Sequence, residues 1–247
     1  MTEYQPAAIV FDGVSKSFGS KQVLQDVSFS VGRGETVCLL GRSGTGKSVT
    51  LKLLIGLLRP DLGQVLIGQD NISLLDGEEL SRVRRKMGFL FQSAALFDSA
   101  TLEDNLALPL RRLTKKSKLE IEDVVNRALS EVGLAADRRK VPGELSGGMR
   151  KRAGLARALV LEPEILLVDE PSSGLDRITA SEIDDLLLEQ KSKRRTTIVI
   201  VTHDVHGARR VGDRFAVLDK ARLVAFGDLH DLQNHDSKTV RTLVGEQ

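Results

Sequence analysis

Two short stretches of this chain combine residue types that bind and cleave phosphate esters. Gly41-Arg42-Ser43-Gly44-Thr45-Gly46-Lys47-Ser48 satisfies the pattern G-x-x-x-x-G-K-[ST] at every constrained position. The glycines allow the backbone to aim successive N–H groups at phosphate oxygens, where the positive end of a following helix also favours anions. Lys47 reaches terminal phosphates, and the Ser48 hydroxyl is a ligand for Mg²⁺. The second stretch, Ile165-Leu166-Leu167-Val168-Asp169-Glu170, is an apolar run ending in two acids. At the carboxyl end of a strand, Asp169 can bind Mg²⁺ through water or Ser48. Glu170 can polarise a water for attack on a γ-phosphate. Together they imply a nucleoside triphosphate site.

The surrounding pattern must position these groups. Ala8–Phe11, Val23-Leu24 with Val27–Val31, and Thr36–Leu40 are β-prone runs separated by Gly and Ser clusters. A helical pattern spans 47–58 and stops at Arg59-Pro60, with short strands predicted near Val65–Ile67 and at Gly88–Phe91. Leu102, Leu106, Leu110, Ile121, Val124, Val125 and Leu129 give a helical period over 101–159. The run Ile165–Val168, a helix through Ile183–Leu188 and the run Thr197–Val201 complete the series. Wholly apolar strands alternating with helices predict a parallel sheet covered on both faces, with an all-helical segment inserted.

Composition removes several function classes. The 247 residues include 36 Lys+Arg against 34 Asp+Glu, so no strong field attracts a polyanion. With 4% aromatic residues and no Trp, base stacking has few platforms, and no nucleic-acid partner is expected. The single cysteine, Cys38, excludes a disulfide framework and reads as a small core residue. Met1–Pro6 lacks the basic start and apolar stretch of a leader. No apolar run approaches the roughly 20 residues of a membrane helix, so a soluble, cytosolic chain is expected.

Leu145-Ser146-Gly147-Gly148-Met149, followed by the basic helix Arg150–Leu159 and lying just before the acidic strand, resembles the signature of ABC-type ATPases. The remaining motifs appear in the matching order. Phe18 resembles the aromatic that stacks on adenine, Gln92 the Q-loop glutamine, Ser173-Gly174-Leu175-Asp176 the D-loop and His203 the switch histidine. The resemblance implies an α/β fold: a P-loop NTPase (RecA-like) core with an N-terminal antiparallel β subdomain and an inserted α-helical subdomain. It implies an ATP-binding domain over 6–247, with core 6–92 and 160–228, helical subdomain 93–159 and a short C-terminal helical segment 229–247.

It also implies roles. ATP would be held by Phe18, Gly41, Ser43, Gly44, Thr45, Gly46, Lys47, Ser48 and Val49, and Mg²⁺ by Ser48, Gln92 and Asp169. Catalysis would use Glu170, Lys47, His203 and Gln92. Ser146, Gly147, Gly148 and Met149 would grip the nucleotide of a second copy, with Asp176 acting across that interface. Local readings stand beside these. Ser146 and Asp176 could simply cap helices, Phe18 could be core, and Arg150–Arg152 reads as a solvated face. His203 and His206 with Asp204 could hold a metal.

The finer resemblance is to ATPases of MCE-type lipid transporters, through Gly44–Val49, Phe91–Ser99 and Leu145–Arg152, including Met149 where most ABC proteins carry Gln. It implies a homodimer on the cytoplasmic face of the inner membrane, beneath a membrane permease and with an MCE-type lipid-binding protein. The stretch Ala94-Ala95-Leu96-Phe97 would dock the permease or pack beneath the helical segment. Arg177 replaces a Pro common after the D-loop, and Ala221 a frequent Gly. The readings from other classes are a non-transport ABC protein that scaffolds soluble partners, and a P-loop kinase, which has no need of the Leu145–Gly148 element.

Overall fold

A computed structural model describes residues 7–245. Pro6, Glu246 and Gln247 of the expected 6–247 span, and the reading of Met1–Pro6, lie outside the described residues. The elements in chain order are β1 (Ile9–Phe18), β2 (Lys21–Val31), β3 (Thr36–Leu40), α1 (Lys47–Leu54), β4 (Leu62–Ile67), β5 (Asp70–Asn71), α2 (Gly77–Arg84) and β6 (Met87–Leu90). They continue with α3 (Leu102–Leu113), α4 (Lys118–Glu131), α5 (Gly147–Leu159), β7 (Ile165–Asp169), α6 (Arg177–Arg194), β8 (Thr197–Val201), α7 (Val205–Val211), β9 (Arg214–Asp219), β10 (Arg222–Gly227), α8 (Leu229–Gln233) and α9 (Lys238–Val244). The fold is α/β, as expected.

Two sheets form. The first is antiparallel in the order β2-β1-β4-β5, and the second runs β10-β9-β3-β8-β7-β6. Strands β9, β3, β8, β7 and β6 are parallel, but β10 pairs antiparallel with β9, so the expected parallel sheet carries an antiparallel edge. The alternation of side chains explains the wholly apolar runs. Val37 and Leu39 of β3 join one core against the antiparallel sheet, while Cys38 and Leu40 join a second core beneath α5–α9. Ile165 and Leu167 of β7 face the first core, and Leu166 and Val168 the second. Both faces of β3 and β7 are therefore dry, and of their residues only Asp169, at the carboxyl end of β7, is partly exposed.

The helical segment has its own core of Leu102, Leu106, Leu110, Ile121, Val125, Leu129, Ala153 and Ala156. Thr101 and Ser117 cap α3 and α4, and Glu120 completes a capping box. Asn105, fully buried, ties the preceding loop down. Its side chain accepts from the Phe97 N–H at 2.7 Å and donates to the carbonyls of Phe97, Ala100 and Thr101.

Three boundaries differ from expectation. Helix α1 ends at Leu54 rather than near Leu58, because Gly56 turns left-handed and Leu57 and Leu58 donate back to the Lys52 carbonyl. The predicted 183–188 helix is the middle of an 18-residue helix, and β1 runs on to Phe18. The β9–β10 turn holds Lys220 and Ala221 both at positive φ, so Ala221 adopts the conformation that the usual Gly would favour.

Helix α5 packs directly on β6 at Gly88. A Cβ there would lie 2.3 Å from the Ala158 carbonyl oxygen, a backbone atom that cannot step aside. Gly88→Ala should destabilise the chain by about 1–3 kcal/mol, read as a lowered midpoint in urea at unchanged slope.

Candidate functional site

Buried strand β3 delivers the phosphate loop to the carboxyl edge of the sheet, and α1 begins at Lys47. Gly46 has φ 101°, and a Cβ on it would meet the Val23 carbonyl oxygen and the Leu24 side chain at 2.6 Å. Only glycine fits there. The Lys47 ammonium donates to the carbonyls of Gly41 at 2.7 Å and Arg42 at 3.1 Å. Burial lowers its pKa, against the pull of Glu170 and Asp169.

Strand β7 lies two strands away and ends in the two acids. Ser48 donates to Asp169 at 3.3 Å across the gap between α1 and β7. Burial raises the Asp169 pKa, and the Ser48 hydrogen bond opposes the rise. Glu170 is buried with φ 50°, a conformation that costs roughly 1 kcal/mol or more in a residue with a side chain. Three contacts hold it. Its N–H donates to the Val201 carbonyl at 2.8 Å, and its carbonyl accepts from the Lys151 ammonium at 2.7 Å. Its carboxylate lies 2.7 Å from Nδ1 of His203 and accepts from the His203 N–H at 3.3 Å.

Phe18, Lys21, Val23, Ser43, Gly44, Gly46, Lys47, Ser48, Val49, Gln92, Glu170 and His203 line one cleft of about 630 Å³. The structure thus brings the loop, Phe18, Gln92, Glu170 and His203 together. Phe18 is 48% exposed and is not core. Gln92 donates through Nε2 to the Ser173 hydroxyl at 3.3 Å, which leaves its amide oxygen free to bind a cation. Ser48, Asp169 and Gln92 form a set of hard oxygen donors that suits Mg²⁺.

None of residues 146–149 lines that cleft. Ser146 caps α5, its hydroxyl accepting from the Met149 N–H at 3.2 Å, and Gly147 and Gly148 face Leu175 and Thr179. Asp176 caps α6 through Ile178, Thr179 and the Thr179 hydroxyl, and these hydrogen bonds lower its pKa. Both local capping readings hold within one chain.

The basic run departs from its expectation. Arg152 pairs with Glu182 at the surface, but Lys151 is buried beneath Glu170, and burial lowers its pKa. The signal was available in the helical period: Gly147 and Gly148 precede Lys151, and Gly154 and Leu155 follow it, on one face. Residues 94–97 divide between their two readings. Ala94 is buried against Gly154 and Leu96 packs on the helical core, whereas Phe97 is 53% exposed beside Arg157. His203, Asp204 and His206 do not bring three ligand atoms together among the described residues; Asp228, His230 and Asp231 lie close, but all three are exposed, as acidic surface groups without an ion commonly are. No helix among the described residues is long and apolar enough to cross a membrane.

This site geometry is that of a nucleotide-binding cassette, and comparison with known proteins identifies the family. The ABC transporter family pattern matches residues 24–173, and the chain belongs to that family. It is 50% identical over 234 residues to the probable ribonucleotide transport ATP-binding protein mkl of Mycobacterium leprae, covering 95% of this chain and 67% of that relative. It is 39% identical over 245 residues to the chloroplastic protein trigalactosyldiacylglycerol 3 of Arabidopsis thaliana, covering 92% of this chain and 70% of that one. The chain spans about two thirds of the length of the mycobacterial relatives it matches. A dimeric ATP-binding cassette in a post-hydrolysis state, bound to ADP and Pi, superposes with a TM-score of 0.83 at 32% identity, covering 89% of this chain and 98% of that one. The chain is an ATP-binding ATPase domain of an ABC transporter.

Lys151→Met keeps the buried stem but removes the donor to the Glu170 carbonyl. It should lower kcat for ATP by about tenfold at nearly unchanged KM, because Glu170 shifts while the phosphate loop does not. Steady-state kinetics on the folded variant check this.

Proposed function

We propose that this chain is the energising subunit of a lipid-transporting ABC system, working as a homodimer with Glu170 as the residue that activates water. The observation that carries the reading is the convergence of Lys47, Ser48, Glu170 and His203 on one cleft, with Asp169 hydrogen-bonded to Ser48 at its edge. The phosphate-loop amides and Lys47 bind the β- and γ-phosphates of ATP, and the exposed ring of Phe18 offers a face for adenine. Val49 and Thr45 extend the loop's contact with the nucleotide. Mg²⁺, held by Ser48, Asp169 and Gln92, would neutralise charge developing on the phosphate oxygens. The Glu170 carboxylate accepts the proton of the attacking water, and His203 keeps that carboxylate oriented. Ser146, with the first N–H groups of α5, has no nucleotide in its own cleft and serves the partner's γ-phosphate. Met149 shares that end of α5, and Asp176 lies on the neighbouring loop.

In this reading 6–92 and 160–228 act as the core, 93–159 as the helical unit that moves against it, and 229–247 as a C-terminal appendage. Gln92 lies between cleft and helical unit, so closure on ATP reaches the exposed Phe97 surface, where a permease docks. The dimer then sits on the cytoplasmic face of the inner membrane, with an MCE-type protein presenting lipid. The lipid cargo is supported by the strings Gly44–Val49, Phe91–Ser99 and Leu145–Arg152; the name of the mycobacterial relative instead speaks of ribonucleotide transport. A soluble scaffold would lack a membrane partner altogether.

Glu170→Gln should bind ATP with near-normal affinity while steady-state turnover falls by roughly 10²–10⁴. Normal turnover in that variant contradicts the role of Glu170. For the cargo, the complex purified with its permease should carry stoichiometric phospholipid by mass spectrometry; bound ribonucleotide in place of lipid, or only soluble partners, contradicts the lipid reading.

A further inference from the structure

A second cleft, of about 710 Å³, opens between the 172–176 loop, α6 and α7. Its base holds a group that the hydrolytic site does not use. Asp184 is 5% exposed and lines this cleft, yet its carboxylate has no hydrogen-bond or ion-pair partner among the described residues. An unpaired buried carboxylate is costly, and such a group commonly marks a bound water or ion.

The neighbouring oxygens point to an ion. Gly207, in the first turn of α7, carries no side chain, and this lets the Asp184 and Asp204 carboxylates approach a common point beside it. The position of its missing Cβ is ringed by Asp204 Oδ2 at 3.0 Å, Asp184 Oδ2 at 3.1 Å and Asp184 Oδ1 at 3.2 Å. Asp204 uses Oδ1 to cap α7, accepting from His206 and Gly207 N–H groups, so Oδ2 is spare. The nearby cations are already engaged. Arg210 pairs with Asp185 and with Ser181, and Arg177 contacts Nε2 of His206 at 3.2 Å.

We propose that Asp184 and Asp204 form a binding site for a small hard cation of the Mg²⁺ or Mn²⁺ class, distinct from the phosphate-loop site, with water completing its shell. Carboxylate oxygens and water suit such ions, and two carboxylates facing two arginines set a weak affinity, on the order of 10⁻⁴–10⁻³ M. The bound cation bridges α6, which follows the 172–176 loop, to α7, which follows His203. Burial and the Asp204 charge push the Asp184 carboxyl up to about 6, while Arg210 and His206 pull it back. The groups facing it are Arg177, Ser181 and Asp185 from α6 and its start, and His203, Asp204, His206 and Arg210 from the other wall.

Mn²⁺ alone, without nucleotide, tests this by calorimetric titration at pH 7.5 in an Asp169→Asn background that disables the phosphate-loop site. That protein should bind one Mn²⁺ equivalent at the bridging site. Adding Asp184→Asn should weaken binding at least tenfold, and so should Gly207→Ala, which fills the cradle while keeping both carboxylates and a helix-favouring residue. Absence of binding in the Asp169→Asn protein, or binding unchanged by Asp184→Asn and Gly207→Ala, overturns the proposal. No hydrolysis is measured, so the result stands apart from the role given to Glu170.

Discussion

The turn at Glu170 is the constraint on which the site depends. Strand β7 is dry on both faces and ends in two acids, Asp169 half-buried and Glu170 buried. Continuing the strand would carry Glu170 away from the cleft; instead φ turns positive, and the carboxylate swings back toward the phosphate loop. Such a turn persists only when its surroundings fix it. Here β8 accepts its N–H, α5 supplies Lys151 to its carbonyl, and the loop before α7 supplies His203 to its carboxylate. One residue thereby joins the sheet, the helix that starts at Ser146 and the segment after β8.

That junction explains why neighbouring motifs face in different directions. Lys151 is anchored inward beneath Glu170, so the start of α5, one turn earlier, points away from the cleft and packs beside Leu175 and Thr179. The same chain therefore presents two different phosphate-seeking surfaces, the loop at 41–48 and the helix end at 146–149, that do not share a ligand. In the proposed homodimer, a second copy brings each surface to the other's complement. The dimeric solved relative at a TM-score of 0.83 is consistent with that requirement.

How much of this the sequence showed depends on how local each constraint is. The phosphate loop was legible because all its diagnostic residue types fall within eight consecutive positions, and the acids were legible because they end an apolar strand run. Lys151 was hidden in a basic run whose other members are solvent-facing, since only the fold decides which phase of α5 lies under β7. The end of α1 at Leu54 escaped because Gly56, not Pro60, stops the helix. Asp184 is one of two adjacent helix acids, and nothing local in the sequence distinguishes it from the surface Asp185. Ala221 stands where Gly is frequent, yet the β9–β10 pairing holds it and Lys220 left-handed.

The central claim is that one chain holds half of each working site. Sedimentation velocity of the purified chain with saturating ATP, and separately with ADP, tests it most directly when turnover is blocked by Glu170→Gln. The account requires a species of twice the chain mass with ATP and the single chain with ADP. A wild-type chain that stays a single copy at every concentration, while hydrolysing ATP at a rate independent of its own concentration, would contradict it.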